Sequence, residues 1–310
     1  MAAQQTNHFF LSAILLLSIA VVSSKAALDA HYYDQTCPQA EFLIAQTVRN
    51  ASIYDPKVPA RILRMFFHDC FIRNKAEKDG PPNISVRAFY VIDDAKAKLE
   101  KACPQTVSCA DIIAVAARDV VAMAGGPRWD VLKGRKDGKV SKANDTKTLP
   151  PPTFNVTQLI QSFANRGLDV NDLVTLSGGH TLGFSHCSSF VARLHNFTTF
   201  QKTDPSMNMG FASMLKQKCP NSNNNGDAGQ FLDSTASQFD NDYYKQLIAG
   251  KGVFATDQGM YNDQRTRSMI EAFANDQDLF FKEFAASMIK LGNVGVNEAG
   301  EVRLDCRKLN

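Results

Sequence analysis

The chain has 310 residues, of which 44% are hydrophobic and 21% charged, and its formal net charge is +3. A chain of this size and composition can bury a large core in one or two lobes. The small net charge gives no support for nucleic-acid binding. Beyond an apolar run at the N-terminus, no stretch of the sequence is long and apolar enough to span a membrane.

The N-terminal residues 1–26 have the features of a secretory signal peptide. The apolar run 9–22 has the length of a signal-peptide core and is short for a membrane helix, and Ser24-Lys25-Ala26 offers a cleavage site of small residues. No Lys or Arg precedes the run, which departs from the usual pattern, so a retained membrane anchor is the alternative. We expect cleavage near Ala27, which would leave residues 27–310 as one secreted domain without membrane attachment.

The pattern that follows is mainly helical. In the segment 109–124, for example, Ile112, Val115 and Ala116 recur at helical spacing. Gly and Pro mark the loops between such segments, and extended segments are few and short. The predicted helices are, in chain order, 41–51, 59–71, 86–101, 109–124, 156–165, 170–176, 240–249, 266–276 and 278–291.

Cysteines and sequons support a secreted protein. Secretion permits disulfides, an odd number of cysteines leaves at least one thiol over, and the spacing does not determine the pairing. Sequons of the form Asn-x-Ser/Thr, which could carry glycans, occur at Asn50, Asn144, Asn155 and Asn196. Asn83-Ile-Ser also fits the pattern, but we expect Asn83 to point inward. The seven cysteines are Cys37, Cys70, Cys103, Cys109, Cys187, Cys219 and Cys306.

Two short segments each place a histidine in a setting suited to chemistry. They are Arg64-Met-Phe-Phe-His68-Asp-Cys70 and Leu176-Ser-Gly-Gly-His180-Thr181. Arg64 and His68 are four residues apart, so on a helix a charged donor and a base share one face, with Phe67 beside them. One histidine that binds a metal and one that moves protons are the minimum for peroxide chemistry at a haem.

These two segments closely resemble those of the secreted plant haem peroxidases of class III, and the resemblance covers essentially the whole of Leu28 to Asn310. It implies a mainly α haem peroxidase fold, in which haem b lies between two helical lobes, with few short strands. It also implies a monomeric enzyme of the extracellular space and cell wall. Such an enzyme reduces hydrogen peroxide and oxidises small phenolic donors by one-electron steps, in lignin metabolism and in the response to oxidative stress. Further matching segments are Ala60-Arg-Ile-Leu-Arg64, Ala76-Glu-Lys-Asp-Gly-Pro-Pro-Asn83, Val107-Ser-Cys-Ala-Asp111, Gly134-Arg-Lys-Asp137, Phe239-Asp-Asn-Asp-Tyr-Tyr244 and Thr256-Asp257-Gln258.

By resemblance, the first segment lies on the distal side of the haem. His68 would take a proton from peroxide and return it to the departing oxygen, and Arg64 would stabilise the charge that develops there. Asn83 would accept a hydrogen bond from His68 and keep the other ring nitrogen basic. Phe67 would pack over the haem, and the Pro150 carbonyl would orient a phenol at the haem edge. The plainer alternatives are a surface ion pair for Arg64, an ordinary core position for Phe67 and a rigid loop for Pro150.

The second segment, by the same resemblance, lies on the proximal side. His180 would bind the iron through one ring nitrogen, and Asp257 would accept a hydrogen bond from the other, which sets the tautomer and strengthens the ligand. The alternative is a histidine at a helix end that bonds only to backbone. Oxygen-rich side chains on a loop suit a calcium ion. The resemblance assigns a proximal calcium ion to Thr181, Asp233, Thr235 and Asp240, with the first and last aspartates one residue closer than is often found.

One departure from the family pattern follows Arg73. About 13 residues usual at this point are absent, including the partner of Cys70 and most ligands of a distal calcium ion, which needs roughly six to eight oxygens. Asp69, Glu77 and the carbonyl of Ile72 remain. We expect a weak or absent distal calcium site, a Cys70 thiol outside the disulfides, and reduced stability or activity; the alternative is an omission in the gene model or in splicing. The disulfides that the resemblance implies are Cys37–Cys103, Cys109–Cys306 and Cys187–Cys219.

Three functions therefore compete. The leading hypothesis is a secreted haem peroxidase with one calcium ion. The second is a catalytically impaired haem-binding variant without an intact distal calcium site, which would show a normal haem spectrum and no turnover. The third, a zinc hydrolase that uses His68, His180 and His186, fits less well because these histidines lack a standard zinc spacing.

Overall fold

The computed structural model describes residues 28–71, 82–139, 148–221, 226–296 and 299–310. The predicted signal peptide, the departure after Arg73 with Ile72 and Glu77, and the sequon at Asn144 lie outside these residues. The described residues form twelve α-helices and a single two-stranded sheet, so the prediction of a mainly α fold is confirmed. None of these helices is long and apolar enough to cross a membrane.

Helices account for most of the elements along the chain. The helices are α1 Ala40–Tyr54, α2 Val58–Phe71, α3 Phe89–Ala102, α4 Cys109–Met123, α5 Val156–Ala164, α6 Val170–Ser177, α7 Val191–Leu194, α8 Met209–Lys218, α9 Asp242–Ile248, α10 Ala255–Asn262, α11 Gln264–Asn275 and α12 Gln277–Gly292. The strands β1 Phe184–His186 and β2 Gly229–Phe231 pair antiparallel. A 3₁₀ turn, Gly178–Thr181, follows α6 directly.

The nine predicted helices are all present, but α7, α8 and α10 were not predicted. In α10 the buried side chains include Thr256, Asp257 and Gln258, so the sequence shows no apolar period there. The predicted start of α3 at Val86 is wrong. Ala88 has a φ of 72°, in the left-handed region that a right-handed helix excludes, and α3 therefore begins after it.

Helix α6 is held firmly at its start. Asp169 and Asp172 form a capping box, in which each side chain accepts a hydrogen bond from the other residue's backbone N–H. The buried carboxylate of Asp172 also accepts from Ser287 Oγ at 2.8 Å and from Lys290 Nζ at 3.0 Å, both in α12. These bonds connect α6 to α12, and the far end of α6 carries the turn that contains His180.

The helices pack in two groups. Helices α1 to α4 contact one another, and α5, α6 and α9 to α12 contact one another, while α2 and α12 join the two groups. The main hydrophobic core runs through both groups, and a smaller core lies beneath α7 and α8. This is the arrangement in two helical lobes that the sequence predicts.

Disulfides connect distant parts of the chain. Each of them closes a long loop and contributes roughly 3–5 kcal/mol by restricting the unfolded chain. Cys70 is buried and belongs to none of the disulfides. The three bonds join Cys37 to Cys103, Cys109 to Cys306 and Cys187 to Cys219, the same pairs that the resemblance implies.

Candidate active site

Helix α2 presents one open face near its C-terminal end. Over residues 62–71 it is buried except at Arg64, Phe67, His68 and Asp69. The first three of these lie at positions i, i+3 and i+4 and therefore share a face. The Phe67 ring stacks on the Phe71 ring, with centroids 4.5 Å apart, and lies 6.4 Å from the His68 ring. A charged donor, a base and an aromatic edge are thus side by side.

The imidazole of His68 is hydrogen-bonded to the side chain of Asn83, which is buried. Nδ1 of His68 lies 2.6 Å from Oδ1 of Asn83. An amide oxygen can only accept, so the imidazole proton is on Nδ1 and the lone pair is on Nε2. Burial, and then the charge of Arg64, lower the pKa of His68 to about 4, against an opposing effect of the Asn83 hydrogen bond. At neutral pH the ring is therefore uncharged, as a general base must be.

Arg64 is held by the same turn that carries Asn83. Its Nη2 donates to the carbonyl oxygen of Pro82 at 3.1 Å and to Oγ of Ser85 at 3.0 Å. The turn 82–85 therefore positions two side chains near His68. It carries Asn83, whose amide accepts from the imidazole, and it holds the guanidinium of Arg64 through Pro82 and Ser85.

His180 lies in the 3₁₀ turn at the end of α6, and its side chain is 40% exposed. Its Nδ1 lies 3.0 Å from Oδ1 of Asp257. A carboxylate can only accept, so Nδ1 carries the proton and Nε2 is the ring atom able to bind a metal. The rings of Phe254 and Tyr243 stand edge-on to the imidazole, with centroids 5.3 and 5.9 Å away.

Two residues that the sequence analysis missed position Asp257. The hydroxyl of Tyr243 donates to Oδ1 of Asp257 at 3.0 Å. Burial, and then the charge of Asp257, raise the pKa of Tyr243 well above its ordinary value, so the hydroxyl keeps its proton. Arg193 donates to three consecutive carbonyls, at residues 252–254, and so holds the segment that leads into α10. Tyr243 lies in a segment that matched the family, but neither charge nor spacing marks its role.

The two histidine-bearing segments are neighbours. A methyl group on Gly179, beside His180, would lie 3.4 Å from Cδ2 of Leu63, which precedes Arg64 in α2. A methyl group on Gly183 would lie 3.5 Å from Cβ of Ala60, one turn earlier in the same helix. The segment 179–183, which contains His180, therefore lies beside α2, the helix that carries His68.

A cluster of oxygen atoms follows His180 in the chain. Oγ1 of Thr181 donates to Oδ2 of Asp233 at 2.6 Å and lies 3.2 Å from Oδ1 of Asp240. Oγ1 of Thr235 lies 3.0 Å from the same Asp240 oxygen. The structure thus brings together all four predicted calcium ligands. The carbonyl oxygen of Gln238, which the sequence analysis did not single out, lies 3.5 Å from Oγ1 of Thr181.

The surroundings of Asp233 disfavour the charged form of its carboxylate. Burial raises its pKa to about 7, and the nearby carboxylates of Asp240 and Asp242 add to the increase, against hydrogen bonds from Thr181 and Thr235. Two carboxylates that lie close together and partly out of water favour either a shared proton or a bound cation. The donor set is all oxygen, which suits a hard cation such as calcium.

Pro150 and Asp69 are the remaining predicted site residues that the structure describes. Pro150 is half-buried in a loop that is joined to α10 by a 3.4 Å hydrogen bond from Thr256 N to the Pro152 carbonyl. Asp69 is half-buried on α2. The other two predicted ligands of a distal calcium ion lie outside the described residues.

The donor set fits a haem and does not fit a zinc hydrolase. Each of the two histidines has one ring nitrogen held by a side chain, and the open face of α2 offers an apolar edge at Phe67 for a large planar group. Among the described residues, no three or more His, Cys, Asp or Glu side chains form a group that could hold a metal ion. His68, His180 and His186 therefore do not make a zinc site.

Comparison with known proteins shows the family to which the chain belongs. A family model described as Peroxidase matches residues 44–276, and the chain belongs to that family. It is a haem peroxidase of the plant type. It is similar to Peroxidase 66 of Arabidopsis thaliana, with 65% identity over 313 residues, which cover 96% of this chain and 97% of the relative. Peroxidase 64 of Arabidopsis thaliana is 49% identical over 98% of this chain and 99% of its own length. Peroxidase 5 of Vitis vinifera is 40% identical over the full length of both chains.

Proposed function

We propose that this haem peroxidase is secreted and that it oxidises small phenolic donors by one-electron steps, with hydrogen peroxide as the oxidant. We assign different roles to the two histidines because their imidazoles have different hydrogen-bond partners. A neutral amide holds His68, so this ring stays a neutral base. A carboxylate holds His180, which gives that ring partial anionic character and makes it the stronger ligand for iron.

The side chains on α2 would divide the proton chemistry between them. When bound, the haem supplies two electrons to the peroxide and recovers them one at a time from the donors. Nε2 of His68 takes the proton from one peroxide oxygen and delivers it to the other, which leaves as water. Arg64 donates to the negative charge that develops on the departing oxygen. Asn83 keeps the imidazole in the tautomer and orientation that this transfer requires.

Calcium forms part of the same proposal. We assign one calcium ion to Thr181, Asp233, Thr235 and Asp240, with the Gln238 carbonyl as a further oxygen. The support is the convergence of these oxygens within hydrogen-bond distance of one another and the raised pKa of Asp233. Because Thr181 follows His180 directly, an ion here would stabilise the turn that holds the proximal ligand. The number of ligands left for a distal ion is too small for a second tight site.

The donor class and the location are supported by the sequence. The segments that resemble the secreted plant enzymes, the signal-like N-terminus and the three disulfides agree with an extracellular protein. N-terminal sequencing of protein secreted from plant cells tests the location. A mature chain that starts near Ala27 supports it, whereas an intact N-terminus on a membrane-bound protein contradicts it.

The roles of the two histidines can be tested with three variants. Recombinant protein is loaded with haem and calcium, and its Soret spectrum and its peroxide-dependent oxidation of guaiacol are recorded. His68→Leu should keep the haem and lose roughly 10²–10⁴-fold in rate, the usual contribution of a general acid–base group. His180→Ala should lose the imidazole-bound spectrum. The matched control is His31→Leu at an exposed histidine, which should change neither.

The outcomes separate the competing hypotheses. Brisk turnover by the wild type supports an active enzyme in spite of the departure after Arg73. A normal Soret spectrum without turnover would support the impaired variant instead. Haem binding that survives His180→Ala unchanged would overturn the assignment of the proximal ligand.

A further inference from the structure

The carboxylate of Asp257 is shared between two donors on a single oxygen. Oδ1 accepts from Nδ1 of His180 at 3.0 Å and from the Tyr243 hydroxyl at 3.0 Å, while Oδ2 accepts from the backbone N–H of Phe254 at 3.3 Å. Hydrogen bonds to the charged form of a carboxylate stabilise that form and make it a weaker base. Oδ1 therefore attracts the His180 proton less strongly than it would with His180 as its sole donor.

The surroundings of Tyr243 make this bond persistent. The side chain is 1% exposed, and its ring stands edge-on to the His180 ring. A buried hydroxyl that lost Asp257 as its acceptor would be left unsatisfied, which is costly. The neighbouring Tyr244 is equally buried, but its hydroxyl donates to the carbonyls of Val174 and Thr175 in α6 and not to Asp257.

We infer that Tyr243 is a positioning residue that limits how much negative charge Asp257 transfers to His180, and that it thereby sets the reduction potential of the bound iron. This inference rests on the proposed role of His180 as the iron ligand. An imidazole with more anionic character binds ferric iron more strongly and lowers the Fe(III)/Fe(II) potential. The Tyr243 hydroxyl acts in the opposite direction, because it occupies part of the capacity of Oδ1 to accept hydrogen bonds.

Tyr243→Phe tests this directly, because it removes one donor and keeps the ring. On haem-loaded protein, the midpoint potential is measured by spectroelectrochemistry and the iron–histidine stretch by resonance Raman spectroscopy of the ferrous form. We expect a lower midpoint potential and a stretch at higher wavenumber than in the wild type. An unchanged or raised potential, with an unshifted or lower stretch, would overturn the inference.

Two further variants separate hydrogen bonding from packing. Tyr244→Phe removes an equally buried hydroxyl that does not reach Asp257, so it should leave potential and stretch at wild-type values. In an Asp257→Asn background, Tyr243→Phe should have a much smaller effect than it has alone, because the carboxylate through which it acts is gone. An equal effect in that background would mean that Tyr243 acts through packing, and the inference would fail.

The same spectra separate this inference from the proposed function. A wild-type ferrous spectrum without an iron–histidine stretch would remove His180 as the ligand, and both proposals would fail together. A wild-type stretch that disappears in His180→Ala, with no shift in Tyr243→Phe, would leave the ligand assignment intact and overturn the role of Tyr243 alone.

Discussion

The guanidinium of Arg166 lies over the ring of Phe71, 4.0 Å from its centroid, and its Nε donates to the Phe71 carbonyl at 2.7 Å. Phe71 is the last residue of α2, so this contact places a cation at the C-terminal end of the helix that carries His68. Nη2 of Arg166 donates in addition to the Thr148 carbonyl at 3.0 Å, in the loop that leads to Pro150. One side chain therefore joins the end of α2 to the loop that leads to Pro150.

Arg166→Leu should destabilise the protein. It removes three hydrogen bonds from a charged donor to the carbonyls of Phe71, Ser162 and Thr148, and one cation–π contact. We expect a loss of roughly 2 kcal/mol in the free energy of unfolding. Denaturant titration followed by fluorescence measures this loss. The control is Arg267→Leu, whose guanidinium lies 5.5 Å from the Tyr261 ring at an exposed position and should cost less than about 1 kcal/mol. Equal losses in the two variants would contradict a special role for Arg166.

Much of the fold could be predicted from local patterns, and two of the exceptions have separate physical causes. Helices with an apolar face toward the core, such as α2 and α4, show a clear period in the sequence. Helix α10 buries Thr256, Asp257 and Gln258, because its buried face serves the site, and a polar buried face has no apolar period. The start of α3 was misplaced because nothing in the sequence marks the left-handed conformation of Ala88.

Some contacts of the candidate site could likewise be predicted from the sequence, and others could not. The neighbouring positions of Arg64 and His68 follow from helical spacing alone. The contact of His180 with Asp257 joins residues 77 apart in the sequence, so only the family resemblance pointed to it. The bond from Tyr243 to Asp257 depends on how α9 packs against α10, and no sequence pattern carries that information.

The reaction with hydrogen peroxide should become slower in acid. The pKa of His68 lies at about 4, and only the neutral ring above that pH can accept a proton. The second-order rate constant, measured by stopped flow, should hold its value at neutral pH and fall to half near pH 4. A Soret spectrum that stays unchanged over the same range is the control against acid unfolding. A midpoint close to the ordinary histidine pKa, about 6.5, would contradict the prediction.

Arg64→Leu should change both the rate and the acid midpoint. The guanidinium depresses the pKa of His68, so its removal moves the midpoint to higher pH. The rate at neutral pH should fall by roughly 10²–10³-fold, because one donor to the developing charge is lost. A large fall in rate with an unmoved midpoint would mean that Arg64 acts on the substrate but has no influence on His68.

Asn83→Val should move the acid midpoint in the opposite direction. The hydrogen bond to Asn83 raises the pKa of His68, so its loss lowers that pKa further and makes the base weaker. The rate with peroxide at neutral pH should fall by roughly 10–100-fold, as is usual when a residue that orients a functional histidine is lost. Asn83→Asp provides the comparison, because it restores an acceptor at the same place and should recover the midpoint or raise it above the wild-type value. A midpoint that moves upward in Asn83→Val would contradict the contact as described.

Removal of calcium should lower the stability of the proximal side. Saturating calcium at a hundred times its dissociation constant would contribute about 2.7 kcal/mol to folding, so a chelator should lower the Tm of the wild type and added Ca²⁺ should restore it. Asp240→Asn removes a carboxylate that Thr181 and Thr235 share and should abolish this response. Asp242→Asn is the matched control, because the Asp242 carboxylate is occupied by Ser234 and Gln246 and the response should persist. Metal analysis should find one calcium ion per chain, and two tightly bound ions would show that a complete distal site survives the departure after Arg73.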